Sequence, residues 1–488
     1  WSLNANIGAS INNIKTDELS YRGPIQENGL PNIFNVFDLD DTKKRAEKVG
    51  WHDQTQSIFA SVEVGWKQML YLTVTGRNDW ASQLANSPES SFFYPSVGLS
   101  WVPSSTWDLG KTFSYLKIRG SIASVGMPYP RHLTVPTYEY DATNKVWKDK
   151  THYPIGDLKP ERTITYEVGL DARLWQHINL SASWYRADTK NQTFDPSLPP
   201  SSSYTTIYLQ TGHVRNTGVE LSLGYDNQWR DFRWTTNFTY SWNKNEIREL
   251  AANAVNPVTG ESLNLTKLDI KGLGKAKYIL KEGGTLGDLY TTSNLRYNEN
   301  GYVEVDNAGN LQVTDEGEDI YLGSVFPDAN LAWRNDFSWK GINLGVLFTA
   351  RLGGYSATQA NLDLYGVSEA SAAARDAGGV LINGREMVDA QKWYQAIGSQ
   401  SGLPQYYLYS ATNVRLQELS LGYTLPTKWF RDKMRMTVSF VGRNLWMIYC
   451  KAPFDPEAVA STGLNYQGID YFMMPSMRSL GFNVKFQF

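Results

Sequence analysis

The 488-residue chain has a single cysteine, Cys450, which excludes an internal disulfide and a cysteine-based metal site. No run approaches 18 consecutive apolar residues, so the sequence excludes a membrane-spanning helix. Its 46 basic residues are balanced by 49 acidic ones, and no strong positive field exists to attract nucleic acid. Disulfide scaffolds, helical membrane proteins and nucleic-acid-binding proteins are therefore excluded as classes.

Signals for catalysis and metal binding are weak. Gly272 to Lys275 resembles a phosphate-binding loop but lacks its spacing and the following Ser or Thr. The acidic run from Asp315 to Asp319 is better explained as a solvated loop than as a cation site. The histidines show no metal-ligand spacing; they are His52, His132, His152, His177 and His213. We therefore expect no enzyme activity, no cofactor and no bound metal.

Aromatic residues, in contrast, are abundant: they form 13% of the chain, with 29 Tyr and 17 Trp. Much of the chain alternates apolar and polar residues with a period of two, which predicts strands. In the final segment, Leu480, Phe482 and Val484 share one face, while Asn483 and Lys485 lie on the other. Such a division is typical of a membrane barrel, with lipid outside and a wet lumen inside, and also of a soluble sandwich.

The lengths of the links between these segments favour the barrel. There are about fourteen segments, each near the ~9–11 residues that a tilted membrane strand needs. Short links lie near residues 67–68, 175–176, 227–230, 340–341 and 426–433. They alternate with long links at residues 16–53, 127–162, 190–215, 251–327, 355–411 and 447–475. Alternation of this kind places all long loops on the external side of a barrel, whereas a sandwich has no reason to sort its loops.

The long loops also carry predicted structure of their own. Residues Tyr302 to Val313 predict a hairpin that turns at Asn307 to Asn310. Ser368 to Asp376 and Arg385 to Ala396 predict short helices. Structured long loops are usually functional. The sequence thus predicts an all-β, transmembrane antiparallel β-barrel with long structured extracellular loops.

Several segments, in this order and spacing, resemble one family closely. They are R-N-D-W at 77–80, Y-P-S-V-G-L-S-W at 94–101, L-K-I-R-G-S-I-A-S-V-G at 116–126, L-K-P-E-R-T-I-T-Y-E-V-G-L-D at 158–171, N-T-G-V-E-L at 216–221, V-R-L-Q-E-L-S-L-G-Y-T-L-P at 414–426, G-R-N-L-W at 442–446, D-P-E at 455–457 and P-S-M-R-S-L-G-F-N-V at 475–484. The chain resembles the SusC-like TonB-dependent transporters (the RagA/SusC family) of the Bacteroidetes outer membrane. Members of this family are multi-pass outer-membrane proteins of Gram-negative bacteria.

The resemblance implies a plugged barrel of the 22-stranded type. Residues 1–488 would form its C-terminal portion, and the family's plug domain and first strands have no counterpart in this chain. Consistent with that, Trp1 to Ile11 already alternates as a strand and shows no basic leader. About fourteen strands are too few to close such a barrel, and an open edge is unstable in lipid.

The resemblance also implies a function and partners. It implies active import of oligosaccharides, with oligopeptides as the alternative substrate. A SusD-like surface lipoprotein would act as a lid, and the TonB–ExbB–ExbD complex would act through the missing N-terminal part. The assembly would be a dimer of SusC–SusD pairs in a lipid bilayer.

Aromatic side chains in the long loops are the candidate substrate contacts, because flat rings stack on sugars. The residues selected are Tyr290, Tyr355, Tyr365, Trp393, Tyr406, Tyr407, Tyr466 and Tyr471. The structural alternative for each is packing of the loops against one another at the rim.

Two alternatives of other kinds remain at this point. One is a soluble all-β glycan-binding protein or glycosidase, which the aromatic content also suits. The one-sided long loops count against it. The other is a passive porin or surface anchor, which shares the barrel but needs no plug.

Overall fold

The computed structural model describes residues 1–27, 35–85, 87–131, 133, 138–141, 145–149, 152–153, 158–194, 206–255, 262–314, 317–358, 368–398, 402–458, 468–470 and 473–487. Its main feature is one 14-stranded sheet in which the strands follow chain order. We number these wall strands β1 (Ser2–Arg22), β2 (Arg45–Trp66), β3 (Leu70–Ala81), β4 (Phe92–Trp101), β5 (Phe113–Met127), β6 (Glu161–Leu174), β7 (Ile178–Phe194), β8 (Leu209–Trp229), β9 (Phe232–Glu249), β10 (Ala329–Trp339), β11 (Ile342–Leu352), β12 (Asn413–Thr424), β13 (Arg435–Cys450) and β14 (Ser479–Gln487).

Every neighbouring pair of wall strands is antiparallel, and β1 and β14 form the two edges of the sheet. The predicted number of strands and the predicted alternation of faces are both confirmed. On the outer face, Trp184 of β7 lies opposite Val168 of β6 and Val219 of β8. Outer-face residues such as Ile7 and Phe482 are 83% and 80% exposed. An exposed apolar face of this extent is what a lipid-facing wall requires.

The alternation of long and short links is confirmed except around β4, where the link on the long-link side, residues 82–91, is no longer than the link on the short-link side, residues 102–112. The long links leave one end of the sheet and the short ones leave the other, because each wall strand runs opposite to the last. The first long link is shorter than the predicted residues 16–53, since β1 continues to Arg22 and β2 begins at Arg45. Thr16 and Asp53 lie inside paired strands.

Tight turns close the short-link end. Lys67 and Gln68 both have positive φ, as do Trp175 and Gln176. Positive φ at both central residues defines the turn whose twist matches the right-handed twist of the flanking strands. The chain therefore reverses over three residues at these points, 67–69 and 175–177, without glycine.

Tryptophans gather at the same end. Lys67 Nζ lies 5.1 Å from the ring centre of Trp66, and Lys340 Nζ lies 5.5 Å from that of Trp339. Further tryptophans at this end are Trp101, Trp107, Trp175 and Trp229. Aromatic rings beside cations fit the boundary between lipid and water. They form an aromatic girdle at the short-link end of the wall.

The long links build an external layer from short elements. Its strands are Tyr138–Asp141, Val146–Asp149, His152–Tyr153, Thr206–Ile207, Ala251–Val255, Ser262–Leu265, Lys267–Leu273, Ala276–Lys281, Asp288–Thr291, Asn294–Leu295, Val313–Thr314, Ile320–Ser324, Tyr355–Thr358, Val380–Ile382, Glu386–Val388, Leu408–Ser410 and Ile469–Asp470. Its α-helices are Glu369–Asp376 and Ala390–Ile397, and 3₁₀ turns lie at Val36–Asp38, Ser82–Leu84 and Pro404–Tyr407. On the short-link side lie a helical turn at Pro103–Thr106 and a 3₁₀ turn at Thr427–Phe430.

The predicted loop elements are largely confirmed, with one correction. Val305 pairs with Leu311 across a turn that Gly309 closes by donating to the Asp306 carbonyl, so the hairpin is present. The helix predicted from Ser368 is also present. The second helix begins at Ala390 and not at Arg385, because Glu386–Val388 pairs as a strand with Val380–Ile382.

Candidate functional site

The inner face of the wall is lined by charged side chains that pair between strands. On β3, Arg77 Nε donates to Asp79 Oδ1 at 2.7 Å, and its Nη2 donates to Ser57 Oγ on β2 at 2.8 Å. The Tyr94 hydroxyl of β4 donates to Asp79 Oδ2 at 2.5 Å. The R-N-D-W segment and the Y-P-S-V segment therefore meet across neighbouring strands.

A second pairing joins β5 to β6. Arg119 Nη1 contacts Glu167 Oε1, and Arg119 Nε lies 3.6 Å from Asp171 Oδ2. These residues belong to the L-K-I-R-G segment and to the T-Y-E-V-G-L-D segment.

A third group spans β10, β12 and β13. Glu418 lies between two arginines: Arg334 Nη1 is 3.3 Å from its Oε1, and Arg443 Nε is 3.1 Å from its Oε2. Arg334 Nε also donates to Asp336 at 2.8 Å. Because the two arginine side chains stay well exposed, these charges face a wet space and not a sealed core.

The inner wall also forms a recess of about 800 Å³ near the short-link end, lined by residues that include Asp171, Ser181, Asp226 and Asn237. Polar and charged groups thus cover the inner face over several strands, while the opposite face is apolar. A wall of this kind can guide or anchor a hydrated partner within the lumen.

A first external cluster lies over β8 and β9. Four loop strands form a sheet in the order Lys267–Leu273, Ala276–Lys281, Asp288–Thr291, Ile320–Ser324. The amide of Ile247 donates to the Gly284 carbonyl at 2.8 Å, and its carbonyl accepts from Gly283 at 2.8 Å. Apolar side chains complete the contact; they include Val214, Leu268, Tyr278, Leu280, Leu289 and Leu322. The sheet is therefore fixed to the rim by both backbone bonds and burial.

A second external cluster joins the Tyr302 hairpin to the loop of residues 368–410. The Val303 amide donates to Asn383 Oδ1 at 2.8 Å, and Asn383 Nδ2 donates back to the Val303 carbonyl at 3.1 Å. The shared core includes Leu295, Leu311, Ile382, Val388, Ile397 and Leu403. Two loops that are distant in sequence thus form one packed unit.

A buried ion pair holds the last long loop. Arg415 of β12 donates to both carboxylate oxygens of Asp455, through Nη2 to Oδ1 and through Nη1 to Oδ2 at 3.3 Å. The Ser476 amide also donates to Asp455 Oδ2, at 3.1 Å. Burial alone would raise the pKa of Asp455, but the hydrogen bonds from Arg415 and Ser476 outweigh it and hold the pKa well below its usual range. The D-P-E segment and the V-R-L-Q-E-L segment therefore meet in a charged latch.

Tyr290 and Tyr355, two of the predicted substrate contacts, lie beside the first cluster. Tyr290 is buried; its ring centre lies 5.2 Å from that of Tyr321, and Lys281 Nζ lies 4.6 Å from it. Tyr355 is half-exposed, and Tyr321 is more exposed still. Burial and the nearby Asp288 raise the pKa of Tyr321 to about 12. Tyr321 was not selected from the sequence, because only the packing shows that it joins Tyr290.

Trp393, Tyr406 and Tyr407 lie in the second cluster. The rings of Trp393 and Tyr406 meet edge to face, with centres 5.8 Å apart. Burial and a hydrogen bond with Tyr297 raise the pKa of Tyr406 to about 12, although part of its ring stays exposed. Tyr407 is buried in the core of this cluster. Its side chain packs the loops against one another, which is the structural alternative to substrate contact. Tyr365, Tyr466 and Tyr471 lie outside the described residues.

The acidic run is partly explained by pairing. Asp319 lies 2.7 Å from Lys267 Nζ and 3.0 Å from Lys281 Nζ. Burial opposes ionisation of Asp319, but hydrogen bonds from the two lysines prevail and lower its pKa. Asp319 therefore holds two loop strands together, and Asp315 and Glu316 lie outside the described residues.

Residues 1–362 match the family described as TonB dependent receptor-like, beta-barrel. The chain belongs to this TonB-dependent receptor family. Its barrel is accordingly an outer-membrane barrel, and the soluble all-β alternative is not supported. The resemblance read from the motifs is confirmed.

Individual TonB-dependent receptors show the same relationship. The chain is 25% identical to TonB-dependent receptor P3 of Formosa agariphila, over 98% of this chain and 49% of that protein. It is 21% identical to the TonB-dependent receptor SusC of Bacteroides thetaiotaomicron, over 68% of this chain and 32% of that protein. The chain thus spans about half the length of the full-chain relative, P3.

The fold is similar to that of a solved peptide importer, RagAB. The structure of the RagAB peptide importer in the open-open state superimposes with a TM-score of 0.70 and 18% identity, covering 99% of this chain and 52% of that chain. The closed-closed state of the same importer gives a TM-score of 0.70 and 19% identity.

Other classes of site are not seen among the described residues of the wall and loops. Within the part of the chain that the structure describes, no three His, Cys, Asp or Glu side chains are placed to hold a metal ion. Over the same residues, no helix is both long enough and apolar enough to cross a membrane. Gly272 lies in the strand Lys267–Leu273, and Gly274 lies in the turn between this strand and Ala276–Lys281, so neither belongs to a phosphate-binding loop before a helix.

Proposed function

We propose that this chain forms the wall and external loops of an active importer that takes up oligosaccharides across the outer membrane. The observation that carries the proposal is a TonB-dependent receptor barrel with a polar inner wall and packed loop clusters at its long-link end. A passive pore needs an open mouth, whereas loops fixed by a buried core suit capture of a ligand before passage. No reaction on the substrate is part of this function.

The partners belong to the same proposal. Energy would come from the TonB–ExbB–ExbD complex, acting on a plug inside the lumen. The paired charges at Arg119, Arg334 and Glu418 would face that plug. A SusD-like lipoprotein would cover the external clusters as a lid, and two such pairs would form a dimer.

Oligosaccharide is the preferred substrate class because part-exposed aromatic rings lie on both clusters. Tyr355 and Tyr321 lie at the first, and Tyr297 and Tyr406 at the second. Flat, partly exposed rings favour stacking on sugar faces. Oligopeptide is the alternative, and the fold similarity to the RagAB peptide importer is the observation in its favour.

Uptake by cells tests the proposal. The native strain and a strain that lacks this gene would be given fluorescent oligosaccharides and fluorescent peptides of matched mass. We expect uptake of oligosaccharide that needs both the gene and TonB, and no cleavage of the sugar by purified protein. Uptake of peptide alone would indicate that oligopeptide, and not oligosaccharide, is the substrate.

Uptake that persists without TonB would refute active import. Mass spectrometry of the complex purified from its own outer membrane tests the partners. A lipidated lid protein should accompany the chain in equal amount, and its absence would refute the lid.

A further inference from the structure

The outer face of β6 to β9 changes from apolar to cationic toward the long-loop end. On β7 the outer-face sequence is Ile178, Leu180, Ala182 and Trp184, and then Arg186, Asp188 and Lys190. On β8 it is Leu223, Leu221, Val219 and Thr217, and then Arg215 and His213. Trp184 and Val219 lie directly opposite each other, so the change occurs at one level on both strands. It marks the boundary where the lipid-facing band ends.

These charges point away from the lumen. Val214 and Ile247, whose side chains alternate with those of Arg215 and Glu246, are 1% and 0% exposed and pack under the loop sheet. Arg215 therefore lies on the opposite face of β8. Neither the inner wall nor the loop clusters use this group.

Asp188 sets the positions of its cationic neighbours. Its Oδ1 accepts from Arg215 Nε at 2.7 Å and is 2.8 Å from His213 Nε2, and its Oδ2 accepts from Arg186 Nε at 2.8 Å. Only 11% of the Asp188 side chain is exposed, whereas that of Arg186 is 40% exposed. Each arginine is held through Nε alone, and its Nη atoms donate no hydrogen bond to a described residue. Asp188 thus fixes the orientation of both guanidinium groups, while their Nη atoms have no hydrogen-bond partner among the described residues.

The cations of this patch outnumber the carboxylates that could neutralise them. Lys190 lies opposite Arg162 and opposite His213, and both Lys190 and Arg162 are exposed. On β9, Glu246 lies opposite Arg215 but is already paired with Arg248 at 2.6 Å and Lys244 at 3.9 Å. Among the described residues, Glu249, opposite His213, is the remaining carboxylate on this face. The patch keeps an excess of positive charge beside the lipid.

We propose that Arg186, Arg215, Lys190 and Arg162 bind the phosphate group of an anionic lipid in the outer leaflet. Guanidinium groups match phosphate oxygens through paired N–H donors, and they do so best where water is partly excluded. The apolar stripe from Trp184 down to Ile178 would lie along the acyl chains of the same lipid. A free phosphate ion would use the cations but gain nothing from this stripe.

Native mass spectrometry of the detergent-purified protein tests the site. The protein would be titrated with dioleoyl phosphatidic acid, with dioleoyl phosphatidylcholine and with inorganic phosphate. We expect phosphatidic acid to bind at least about tenfold more tightly than either of the others. The R186Q/R215Q variant should lose about tenfold or more in affinity for phosphatidic acid.

Two further variants make the result specific. R186Q/D188N/R215Q removes the charges together and leaves no unpaired carboxylate, and it should show the same loss while remaining folded. R375Q/R385Q removes two exposed arginines from the external loops and should bind phosphatidic acid as the wild type does. Unchanged affinity in both cluster variants would overturn the proposal. Equal binding of inorganic phosphate and phosphatidic acid would overturn the assignment to lipid.

Discussion

Arg415 and Asp455, forty positions apart in the chain, form a two-pronged ion pair in which 2% of the arginine side chain and 7% of the aspartate side chain are exposed. The arginine is the largest fully buried side chain in the described part of the chain. Asn413 Oδ1 also accepts from Arg415 Nε at 3.0 Å. The last long loop is therefore tied to the external end of β12.

Removal of the latch should loosen that loop. In Arg415→Met, the Asp455 carboxylate stays buried without its cation, and we expect a loss of about 3–5 kcal/mol in the stability of this region. Limited proteolysis within residues 451–458 of the folded barrel should show faster cleavage. Arg443→Met is the matched control: its exposed pair with Glu418 should contribute less than about 1 kcal/mol. Equal cleavage of the two variants would contradict the assignment.

The latch should also respond to pH in one direction. Because the folded state lowers the pKa of Asp455, its stabilising contribution is complete above the ordinary pKa of about 3.9 and is lost as the pH falls through the lower folded value. Protection of residues 451–458 from protease should stay constant from about pH 7 to about pH 5 and decrease below about pH 4. An acid-stable protease such as pepsin covers the low range. A loss of protection near pH 6 would show that a group other than Asp455 controls the stability of this loop.

Neighbouring residues on β8 should tolerate charge very differently. Leu223 lies on the apolar face and Ser222 on the polar face, where its hydroxyl donates to Asn237. Leu223→Lys should cost about 2–4 kcal/mol in the membrane and reduce the amount of folded barrel, whereas Ser222→Lys should be close to neutral. The shift in electrophoretic mobility between boiled and unboiled samples measures the folded fraction. Greater damage from the serine variant would reverse the assignment of the two faces.

The aromatic clusters should contribute to ligand binding if the proposed substrate is right. Tyr406→Ala removes an exposed ring that packs on Trp393, and we expect affinity for oligosaccharide to fall about threefold to tenfold. Isothermal titration calorimetry on the purified complex measures the change. Phe37→Ala, which removes an exposed ring on a different external loop, is the control and should bind normally. A greater loss of affinity in Phe37→Ala than in Tyr406→Ala would indicate that the sugar binds away from the second cluster.

Several motifs that carried the family resemblance contact one another in the structure. Arg77 meets Tyr94 through Asp79, Arg119 meets Glu167, and Arg415 meets Asp455. In sequence each segment looks weak, because an isolated arginine or aspartate in a strand has many possible roles. Their joint presence was informative because in each of these contacts a side chain of one motif is paired by a side chain of the same or another motif.

The loops were harder to predict for a related reason. Arg385 to Val388 has a composition that suits a helix, but pairing of Glu386–Val388 with Val380–Ile382 overrides this local preference. Tyr321 was missed as a neighbour of Tyr290, and the pairing of Asp319 with Lys267 was missed as well. Each of these contacts joins separate loop strands, and no spacing along the chain encodes it.

The sequence alone determined the alternation of faces, the number of wall strands and the sorting of long links to one end. These properties follow from a period of two and from the contrast between lipid and water, and both act locally on every strand. Only the tertiary structure decided which loop residues pack together, which charges are buried in pairs, and that Asp188 holds two arginines toward the lipid. Those outcomes depend on contacts between distant segments, whose free energy is set by burial and geometry in three dimensions.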